Sequence, residues 1–445
     1  MSKKKEEVGI TGFLRTKERR GFSFDVHCRP GTRKNPEVST ATVAEAVAVG
    51  AALGVPSFRQ LDQTLREAGV RQALGSRRGR VASDTTVSRV CDVMKTSDLR
   101  GLVKGSWRSA RREGLTGVEV GGRRVHVGVV DGTCMGGQMM SVMVEVGEIP
   151  VPVSAVRYPK QGKELVASHA LLRHVGRQEG RGGFDLMMGD GLYANEPIFA
   201  ACEEMGARAV VKLKPEEADR LLILKDARGL FDAPKLLSGV ENVKGVDKVR
   251  GCRYEVWAVA DLEWSTSGRR LKVARVREKW LKGPYKGQTL DFWVISQDPA
   301  LDALALRQLA HLRWFIENKC FKGLNEQAHT KHVFRRESAG AFNISLLQML
   351  GRTWLELYRH ELRALKEKMK HLWDHGSFPM RLLRVYLWTS LGAAEPDTTQ
   401  PLRGSRRYRQ NQPPPIVQRR REGDPFALKS APQRHQWNFE GLGKF

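Results

Sequence analysis

The sequence has little cysteine and no long apolar segment, and each shortage excludes a class of protein. The six cysteines in 445 residues are scattered, with no Cys-x-x-Cys pair. This argues against a disulfide framework or a zinc site and fits a reducing cytoplasm. No apolar run approaches the length that spans a bilayer, and no apolar core follows the charged N-terminus as in a secretory signal. We therefore expect a cytoplasmic protein without a membrane partner.

Acidic residues are also scarce relative to basic ones. The chain has 49 Asp and Glu against 75 Lys and Arg, a formal net charge of +26. This excess predicts a polyanionic partner, because basic side chains neutralise phosphates and release their counterions. Nucleic acid is the simplest such partner, and a membrane surface is the weaker alternative. The hydrophobic content of 41% is enough for a sizeable core, and the length suggests two or three domains.

Changes in composition and periodicity divide the chain into six segments. They are a loose basic arm (1–37), a helical DNA-binding domain (38–117), the first part of an α/β core (118–238), an all-β insertion domain (239–297), the second part of the core with C-terminal helices (298–392) and a basic Pro/Arg-rich tail (393–445). The arm fits DNA contact or a solvated tail. The helical segment fits a helix-turn-helix-like module or an ordinary helical bundle.

The middle of the chain alternates strand-like and helical patterns, which predicts a mixed sheet flanked by helices. Strands are expected at 125–130 and 184–188, and a hairpin is expected near Gly147. Three more strand-like segments with turns between them follow at 248–264, 269–280 and 289–298. These three segments form the predicted all-β insertion.

A long helix is predicted over 298–330, with Asp298 as its N-cap and Pro299 at its first position. Glu317 lies in mid-helix, one turn after Arg313, so the pair fits a plain salt bridge as well as a catalytic carboxylate. The apolar face repeats at helical spacing. Its members are Leu304, Ala305, Leu309, Leu312, Ile316, Cys320 and Leu324.

Three acidic residues have the placement that a two-metal phosphoryl-transfer site requires. Asp131 and Asp190 each follow a predicted strand, and Glu317 lies on the distant helix. Converging carboxylates can hold Mg²⁺ ions that activate water or a 3′-OH and stabilise the leaving oxygen. Each aspartate precedes a glycine, so an ordinary turn is the alternative for each. On so basic a chain, the three together favour metal-dependent chemistry on nucleic acid.

Three stretches, in this order, resemble the motifs of DDE transposases of the insertion-sequence-four (IS-four) type. They are VVDGT (129–133), GDGLYAN (189–195) and LRWFIENKCFKGLNEQ (312–327). Asp190 and Tyr193 match the family's D-x-x-Y motif, and Arg313 and Glu317 match its R-x-x-x-E pattern. The resemblance covers roughly residues 120–350. It implies an RNase H-like mixed-sheet core, with an all-β insertion between the second Asp and the Glu.

The resemblance also implies an activity: cut-and-paste transposition of an insertion sequence. Asp131, Asp190 and Glu317 would bind two Mg²⁺ ions, for which Mn²⁺ can substitute. The implied partners are double-stranded DNA, with its terminal inverted repeats and target DNA, and a second copy of the chain in a homodimer on DNA. The implied location is the bacterial cytoplasm, in association with the nucleoid.

DNA contacts are expected from residues near the catalytic helix and in the insertion. The resemblance implies that Arg313 contacts the DNA backbone or an end phosphate, and that a Trp of the insertion, for which Trp280 is a candidate, stacks on a flipped base. Trp293 alternates within a strand, so we expect it in the core. The expected DNA contacts are Arg313, Tyr193, Lys319, Lys322 and Trp280, with His311 as a further cation near the helix.

The chain departs from the family pattern at two positions of the catalytic helix. Ala310 stands where the family has tyrosine, and Leu324 where it has lysine. These departures leave open a catalytically silent DNA-binding protein derived from a transposase, although all three carboxylates are present. A third alternative, an RNase H-like nuclease such as a resolvase, is disfavoured by the β insertion and the long C-terminal helical part.

Overall fold

The computed structural model describes residues 9–20, 23–28, 36–74, 80–159, 161–233, 235, 238–265, 267–336, 338–368 and 380–391. The predicted basic tail, 393–445, lies outside these residues, as do parts of the predicted arm. The chain divides into two compact units at about residue 396. The description that follows therefore concerns the first unit.

Helices lie at both ends of the described chain and between the strands. They are α1 (Ile10–Arg19), α2 (Phe24–His27), α3 (Thr40–Leu53), α4 (Phe58–Arg66), α5 (Ala68–Leu74), α6 (Asp84–Val93), α7 (Thr96–Arg112), α8 (Glu164–Glu179), α9 (Glu196–Glu204), α10 (Pro215–Ala218), α11 (Leu222–Phe231), α12 (Ala303–Phe315), α13 (Lys322–Gln327), α14 (Ser338–Lys368) and α15 (Met380–Ser390). A π-helical segment, Ile316–Phe321, joins α12 to α13.

The strands occupy the centre of the chain. They are β1 (Val118–Val120), β2 (Arg123–Val125), β3 (Val127–Met135), β4 (Gln138–Glu145), β5 (Val151–Tyr158), β6 (Leu186–Asp190), β7 (Arg208–Leu213), β8 (Val240–Asp247), β9 (Cys252–Trp264), β10 (Arg269–Trp280) and β11 (Thr289–Ser296). The predicted hairpin near Gly147 is confirmed as the turn between β4 and β5.

A large mixed sheet organises the described unit. Its strand order is β5-β4-β3-β6-β7-β11-β10-β9-β8. Strand β6 runs parallel to β3 and β7, and the remaining neighbours are antiparallel. Strands β6 and β7 are almost continuously buried, as expected for parallel strands covered on both faces. The predicted mixed α/β architecture is thus confirmed.

Two hydrophobic clusters cover the opposite faces of this sheet. Val129 belongs to one cluster and its neighbour Val130 to the other, and Val142 and Met143 divide in the same way. Successive residues of a strand point to opposite faces, so each cluster lies on one side. Helices α3, α12 and α14 contribute mainly to the first cluster, and α8, α9 and α11 to the second.

The predicted insertion is all-β, but its strands continue the core sheet. Strand β11 pairs with β7 of the core, from Ser296 opposite Val210 to Trp293 opposite Leu213. The block also contains one strand more than the sequence predicted, β8, which pairs with β9 at the edge of the sheet. Trp293 is 2% exposed, which confirms its predicted place in the core.

The N-terminal helices pack on the C-terminal part of the chain. Helix α3 begins after Ser39, whose hydroxyl accepts a hydrogen bond from the Thr42 amide, and ends at Gly54 in the left-handed region. It crosses α14 so closely that a Cβ on Gly351 would lie 2.0 Å from the Ala48 carbonyl oxygen. Only glycine permits this approach, so the predicted helical domain forms one core with α14.

The arm predicted as loose contains helix α1, which is docked on α14. Phe13 is fully buried and stacks on Trp354, with ring centroids 4.6 Å apart. The Trp354 indole N–H donates to the Phe13 carbonyl oxygen at 3.1 Å. The prediction of a loose arm is therefore wrong for α1, because charge composition gave no sign of this aromatic contact.

The predicted helix 298–330 begins later than expected and is interrupted. Asp302 caps α12 by accepting a hydrogen bond from the Ala305 amide. Asp298 instead accepts from the Ala300 amide in a turn and pairs with Arg123. Leu304, placed on the predicted apolar face, is 41% exposed. The error arose because two aspartates four residues apart are both good caps, and the contact of Asp298 with Arg123 is non-local.

No single helix among the described residues is long and apolar enough to cross a membrane. The pair α3 and α4 passes the same test of length and composition together, with a bend of 101° between them. Nearly every residue of α3 is buried inside the protein.

Candidate active site

The parallel pairing of β3 with β6 brings the first two predicted carboxylates to one edge of the sheet. The last paired residues are Val129 and Met188, and Asp131 and Asp190 each lie two positions further on. The sequence predicted that Asp131 follows a strand. Strand β3 continues to Met135, so Asp131 instead lies within it. Because the two strands point the same way, both aspartates lie beyond the pairing at the same edge.

Each aspartate has one carboxylate oxygen bound to backbone and the other turned outward. Asp131 Oδ1 accepts from the Gly132 amide at 2.9 Å, and Asp190 Oδ1 accepts from the Leu192 amide at 3.0 Å. The backbone bonds fix the orientation of both side chains. The two Oδ2 atoms are thereby left to interact with Arg313.

Arg313, on the last turn of α12, joins all three predicted carboxylates. Its Nη2 lies 3.7 Å from Asp131 Oδ2 and 3.4 Å from Asp190 Oδ2. Its Nη1 lies 2.8 Å from Glu317 Oε1, one helical turn further along. One guanidinium thus holds acidic groups from two strands and one helix. The structure therefore brings together Asp131, Asp190 and Glu317, as the sequence predicted.

Glu317 lies in the π-helical segment that follows α12. Its side chain is 45% exposed, whereas those of Asp131 and Arg313 are each 13% exposed. π-Helical turns are uncommon and often occur at functional sites. Glu317 therefore forms the solvent-facing side of the carboxylate group, and Asp131 its buried side.

The electrostatics are unfavourable for Asp131 as an anion. Burial raises the pKa of Asp131 to about 7, and the negative charges of Asp190, Glu317 and Glu164 add to the shift, while Arg313 opposes it. Burial lowers the pKa of Arg313, but the surrounding carboxylates outweigh it and raise the pKa overall. The site thus carries more negative charge than one guanidinium neutralises, a condition typical of functional sites.

A fourth carboxylate, which the sequence analysis missed, lies next to Asp131. Glu164 is the first residue of α8. A Cβ added to Gly132 would lie only 2.3 Å from the carboxyl carbon of Glu164. The Tyr193 hydroxyl donates to Glu164 Oε1 at 2.9 Å. The only local signal was an acidic residue in the first turn of a helix, where an acid is common.

Tyr193 lies inside the protein and not on a DNA-facing surface. It is 2% exposed, and its hydroxyl is held by Glu164 and by Ser168 at 3.1 Å. Its ring fills the space next to Gly189, where a Cβ would lie 2.6 Å from the ring. The prediction that Tyr193 contacts DNA does not fit this position, because the hydroxyl has no access to a phosphate.

Lys212, also missed from the sequence, lies behind Arg313. It pairs in register with Asp190 on the neighbouring strand. Its Nζ lies 3.7 Å from the centroid of the Trp314 ring and 4.2 Å from that of Phe292, and within the described residues it has no hydrogen-bond partner. Burial lowers the pKa of Lys212 to about 7, and the charge of Arg313 contributes.

The other predicted DNA contacts divide between surface and core. Lys319 and Lys322 are exposed beside Glu317, and Lys322 lies 3.8 Å from Glu326. Trp280 is partly exposed at the end of β10, with its ring 5.9 Å from that of Tyr285. These three positions are compatible with their predicted role.

His311 is turned away from solvent, contrary to its prediction as a phosphate contact. Its Nε2 lies 2.8 Å from Glu278 Oε1, and both side chains are buried. The positions that differ from the family pattern, Ala310 and Leu324, are also fully buried. These three residues therefore pack the core beneath the site.

The three carboxylates suit a hard divalent cation, because Mg²⁺ and Mn²⁺ prefer carboxylate oxygens. Among the described residues, no group of three His, Cys, Asp or Glu is arranged to hold a metal ion. In this arrangement the Arg313 guanidinium lies between the three carboxylates. Binding of a cation to all three would therefore require the guanidinium to move aside.

No protein-family model matches this chain, and neither does any curated protein. The functional argument consequently depends on the geometry of the site, on the charge of the chain and on the three motifs.

Proposed function

We propose that the protein is a DNA transposase that cleaves DNA and transfers strands by a metal-dependent DDE mechanism. The observation that carries the proposal is the convergence of Asp131, Asp190 and Glu317 on the single guanidinium of Arg313. These carboxylates come from separate elements far apart in the sequence. Their convergence supports two-metal phosphoryl transfer, which needs carboxylates from separate elements close together.

The three carboxylates would hold two Mg²⁺ ions, with Mn²⁺ as a substitute. When bound, such ions activate an attacking oxygen and stabilise a leaving oxygen on phosphorus. The protein contributes orientation: backbone amides fix one oxygen of each aspartate. The π-helical segment presents Glu317 from the solvent side, where a DNA strand can approach.

Arg313 would act first as an internal counter-ion and then as a phosphate ligand. A planar guanidinium binds phosphate oxygens in a bidentate manner. A DNA phosphate arriving at the site would offer Arg313 a new partner and release the carboxylates. Lys319 and Lys322, exposed beside Glu317, would add affinity for the backbone on the same side.

The fold and the charge support the proposal. Asp131 lies on the first strand of the large sheet and Asp190 on its parallel neighbour, as an RNase H-like core would place them. The all-β block precedes the helix of Glu317, where the resemblance expects an insertion. The net charge of +26 suits double-stranded DNA as substrate, both as terminal inverted repeats and as target.

The remaining partners and the location follow from the activity. Two DNA ends have to be held together for cut-and-paste transposition, so a homodimer on DNA is proposed, with Trp280 available at the end of β10 for base stacking. Such a protein would act in the bacterial cytoplasm, at the nucleoid.

A silent DNA-binding protein derived from a transposase is the second candidate. Two observations favour it: the two departures from the family pattern, Ala310 and Leu324, are part of the core, and Arg313 occupies the space between the carboxylates. Such a protein would keep its affinity for DNA and lack cleavage.

The test is strand cleavage of DNA carrying the ends that flank the gene, with Mg²⁺ or Mn²⁺. We expect the wild type to cut at a defined end, and Asp131→Asn, Asp190→Asn and Glu317→Gln to bind the same DNA without cutting. Asp226→Asn, an exposed change on helix α11, is the control and should cut normally. If no protein cuts with either metal while all bind, the silent candidate replaces the transposase.

A further inference from the structure

Glu164 is a carboxylate at the site that the proposed DDE mechanism does not use. Its carboxyl carbon lies 2.3 Å from where a Cβ on Gly132 would be, so the carboxyl group fills the space that a side chain at position 132 would need. It therefore lies against the backbone directly beside Asp131. Glu164 is partly exposed, and it approaches strand β3 from the face toward which residue 132 points, opposite to the Asp131 side chain.

Within the described part of the chain, no cation pairs with Glu164 as Arg313 pairs with the other three carboxylates. Among the described residues it has no ion pair, and its recorded partners are the hydroxyl groups of Tyr193 and Tyr158. A tyrosine hydroxyl donates a hydrogen bond to a carboxylate but leaves its charge in place. Neither tyrosine therefore supplies a positive charge beside this carboxyl group.

A buried chain of hydroxyl groups fixes the place of this charge. Ser141 Oγ lies 2.7 Å from Ser168 Oγ, which lies 3.1 Å from the Tyr193 hydroxyl, which donates to Glu164. Ser141 pairs with Gly132 across β4 and β3. The chain thus connects the strand of Asp131, helix α8 and the turn after Asp190.

This arrangement is costly unless a cation joins it. Like charges held close together destabilise each other, and the Glu164 carboxyl group lies against the backbone of Gly132, the residue that follows Asp131. A divalent cation at the neighbouring carboxylates would relieve the repulsion. A glutamine oxygen at this position would still accept a tyrosine hydrogen bond, although a weaker one, so replacement by glutamine removes the charge and keeps the contact.

We propose that Glu164 is a positioning residue of the metal site, a fixed negative charge beside Asp131 that strengthens binding of a divalent cation without contacting it. Tyr193 holds the Glu164 carboxylate in that position. The inference rests on the proposed function, because it assumes that the carboxylates bind a metal.

The experiment is titration of the full-length protein with Mn²⁺ alone, without DNA, by electron paramagnetic resonance of the free ion. Glu164→Gln keeps the size and the hydrogen-bond acceptor and removes the charge. We expect its Mn²⁺ dissociation constant to rise about 10- to 100-fold, the usual effect of losing an outer-shell partner. Because the change removes a like-charge repulsion, the unfolding temperature of this variant without metal should be no lower than that of the wild type.

Two variants separate charge from architecture. Tyr193→Phe removes one hydrogen bond to Glu164 and keeps the Glu164 carboxyl group. The loss of Mn²⁺ affinity in this variant should therefore be several-fold smaller than the loss in Glu164→Gln. Glu204→Gln removes a carboxylate at the last residue of α9, where Glu204 pairs with Arg173 on the surface. It should bind Mn²⁺ like the wild type.

The outcomes distinguish this inference from the proposed function. If Asp131→Asn abolishes Mn²⁺ binding and Glu164→Gln binds as tightly as the wild type, the inference is wrong and the metal site stands. If Tyr193→Phe weakens binding as much as Glu164→Gln, architecture and not charge is responsible, and the inference is again overturned. If the wild type and Asp131→Asn bind the same amount of Mn²⁺, Asp131 does not belong to a metal site. The proposed function and the inference are then both wrong.

Discussion

Arg313 and Asp190 are 123 positions apart in the sequence, yet Arg313 Nη2 lies 3.4 Å from Asp190 Oδ2. The same nitrogen faces Asp131 Oδ2 at 3.7 Å. A monovalent guanidinium thus takes the place between two aspartates that a divalent cation would take. Arginine and metal consequently compete for the same oxygens.

This competition predicts that removal of the guanidinium tightens metal binding in the absence of DNA. We expect Arg313→Gln to bind Mn²⁺ about tenfold more tightly than the wild type, because a positive charge at this distance opposes a second cation. Arg313→Lys keeps the charge and should remain near the wild type. The measurement is calorimetric titration with Mn²⁺, after circular dichroism has shown that both variants fold.

Weaker binding by Arg313→Gln would contradict the competition and would mean that the guanidinium organises the carboxylates. The same variant should lose affinity for DNA ends, since Arg313 is also the proposed phosphate ligand. Tighter metal binding together with weaker DNA binding is therefore the specific pattern expected.

The neighbourhood of the two aspartates could be predicted from local sequence. Asp131 and Asp190 lie close to strand ends marked by β-branched or apolar residues and glycine, and parallel strands bring equivalent ends together. Arg313 and Glu317 are one helical turn apart, so their pairing was also expected. These inferences depend only on periodicity and turn chemistry.

The rest of the site depends on contacts between distant elements. Glu164 and Lys212 are near the carboxylates because of the order of strands in the sheet, which no local pattern encodes. Strand β8 was missed because it is half-exposed along its length and has no continuous apolar run. Asp298, predicted as the helix cap, instead pairs with Arg123, on a strand far earlier in the chain.

The raised pKa of Asp131 predicts a pH-dependent difference in stability. Its folded pKa is about 7 against an ordinary value of 3.8, so between these values the folded protein keeps a proton that the unfolded chain releases. Wild-type stability therefore falls as pH rises from about 4 to 7. Asp131→Asn has no titrating carboxyl group at this position. The unfolding temperature of the variant minus that of the wild type should therefore be larger at pH 8 than at pH 5, with a chelator present in both measurements.

Asp226→Asn is the control for this measurement, because Asp226 is exposed on helix α11. Its difference from the wild type should be the same at both pH values. A constant difference for Asp131→Asn would show that the Asp131 carboxylate is not destabilised by its surroundings.

The contact of Gly189 with Tyr193 predicts a destabilising substitution. A Cβ at 189 would lie 2.6 Å from the root of the Tyr193 ring, which is fixed by packing and by its hydroxyl partners. We expect Gly189→Ala to lower the free energy of unfolding by about 1–3 kcal/mol, as overpacking in a core does. Chemical denaturation with urea measures this change.

Gly128→Ala is the matched control on the neighbouring strand β3. There a Cβ would meet the flexible ends of Met187 and Met143 at 2.7 and 2.8 Å, and methionine repacks readily. Its cost should be clearly smaller than that of Gly189→Ala. Equal costs would mean that Tyr193 can move aside, and that the hydroxyl chain does not hold it.

The exposed lysines beside Glu317 predict a salt-dependent contribution to DNA binding. Lys319→Ala and Lys322→Ala should each weaken binding to all DNA sequences alike. Each should reduce the slope of log K against log salt by about 0.9, the value for one phosphate contact. Fluorescence anisotropy at several salt concentrations measures the slope, with Lys248→Ala, in the turn between β8 and β9, for comparison. An unchanged slope would remove that lysine from the interface.

The buried amine of Lys212 predicts a stabilising substitution. Its Nζ lies over Trp314 without a hydrogen-bond partner among the described residues, and burial lowers the pKa of Lys212 to about 7. The folded protein therefore loses this proton near pH 7, and the unfolded chain near its ordinary value of 10.5, so wild-type stability rises with pH between them. Lys212→Met should raise the free energy of unfolding by about 1 kcal/mol at pH 6, since the cost of an unsatisfied buried group exceeds the lost cation–π attraction.

The gain from Lys212→Met should shrink as pH increases above 7, because the cost of removing the proton from the wild-type amine on folding falls as pH approaches 10.5. Lys272→Met is the contrasting variant: Lys272 is also buried, but its Nζ is 2.5 Å from Glu241 Oε1, so its loss leaves a carboxylate unpaired and should destabilise the protein. Urea denaturation of both variants at pH 6 and pH 9 gives the comparison. A Lys212→Met protein less stable than the wild type at pH 6 would show that the ring contacts outweigh the burial of the charge, and that Lys212 is held there as a cation.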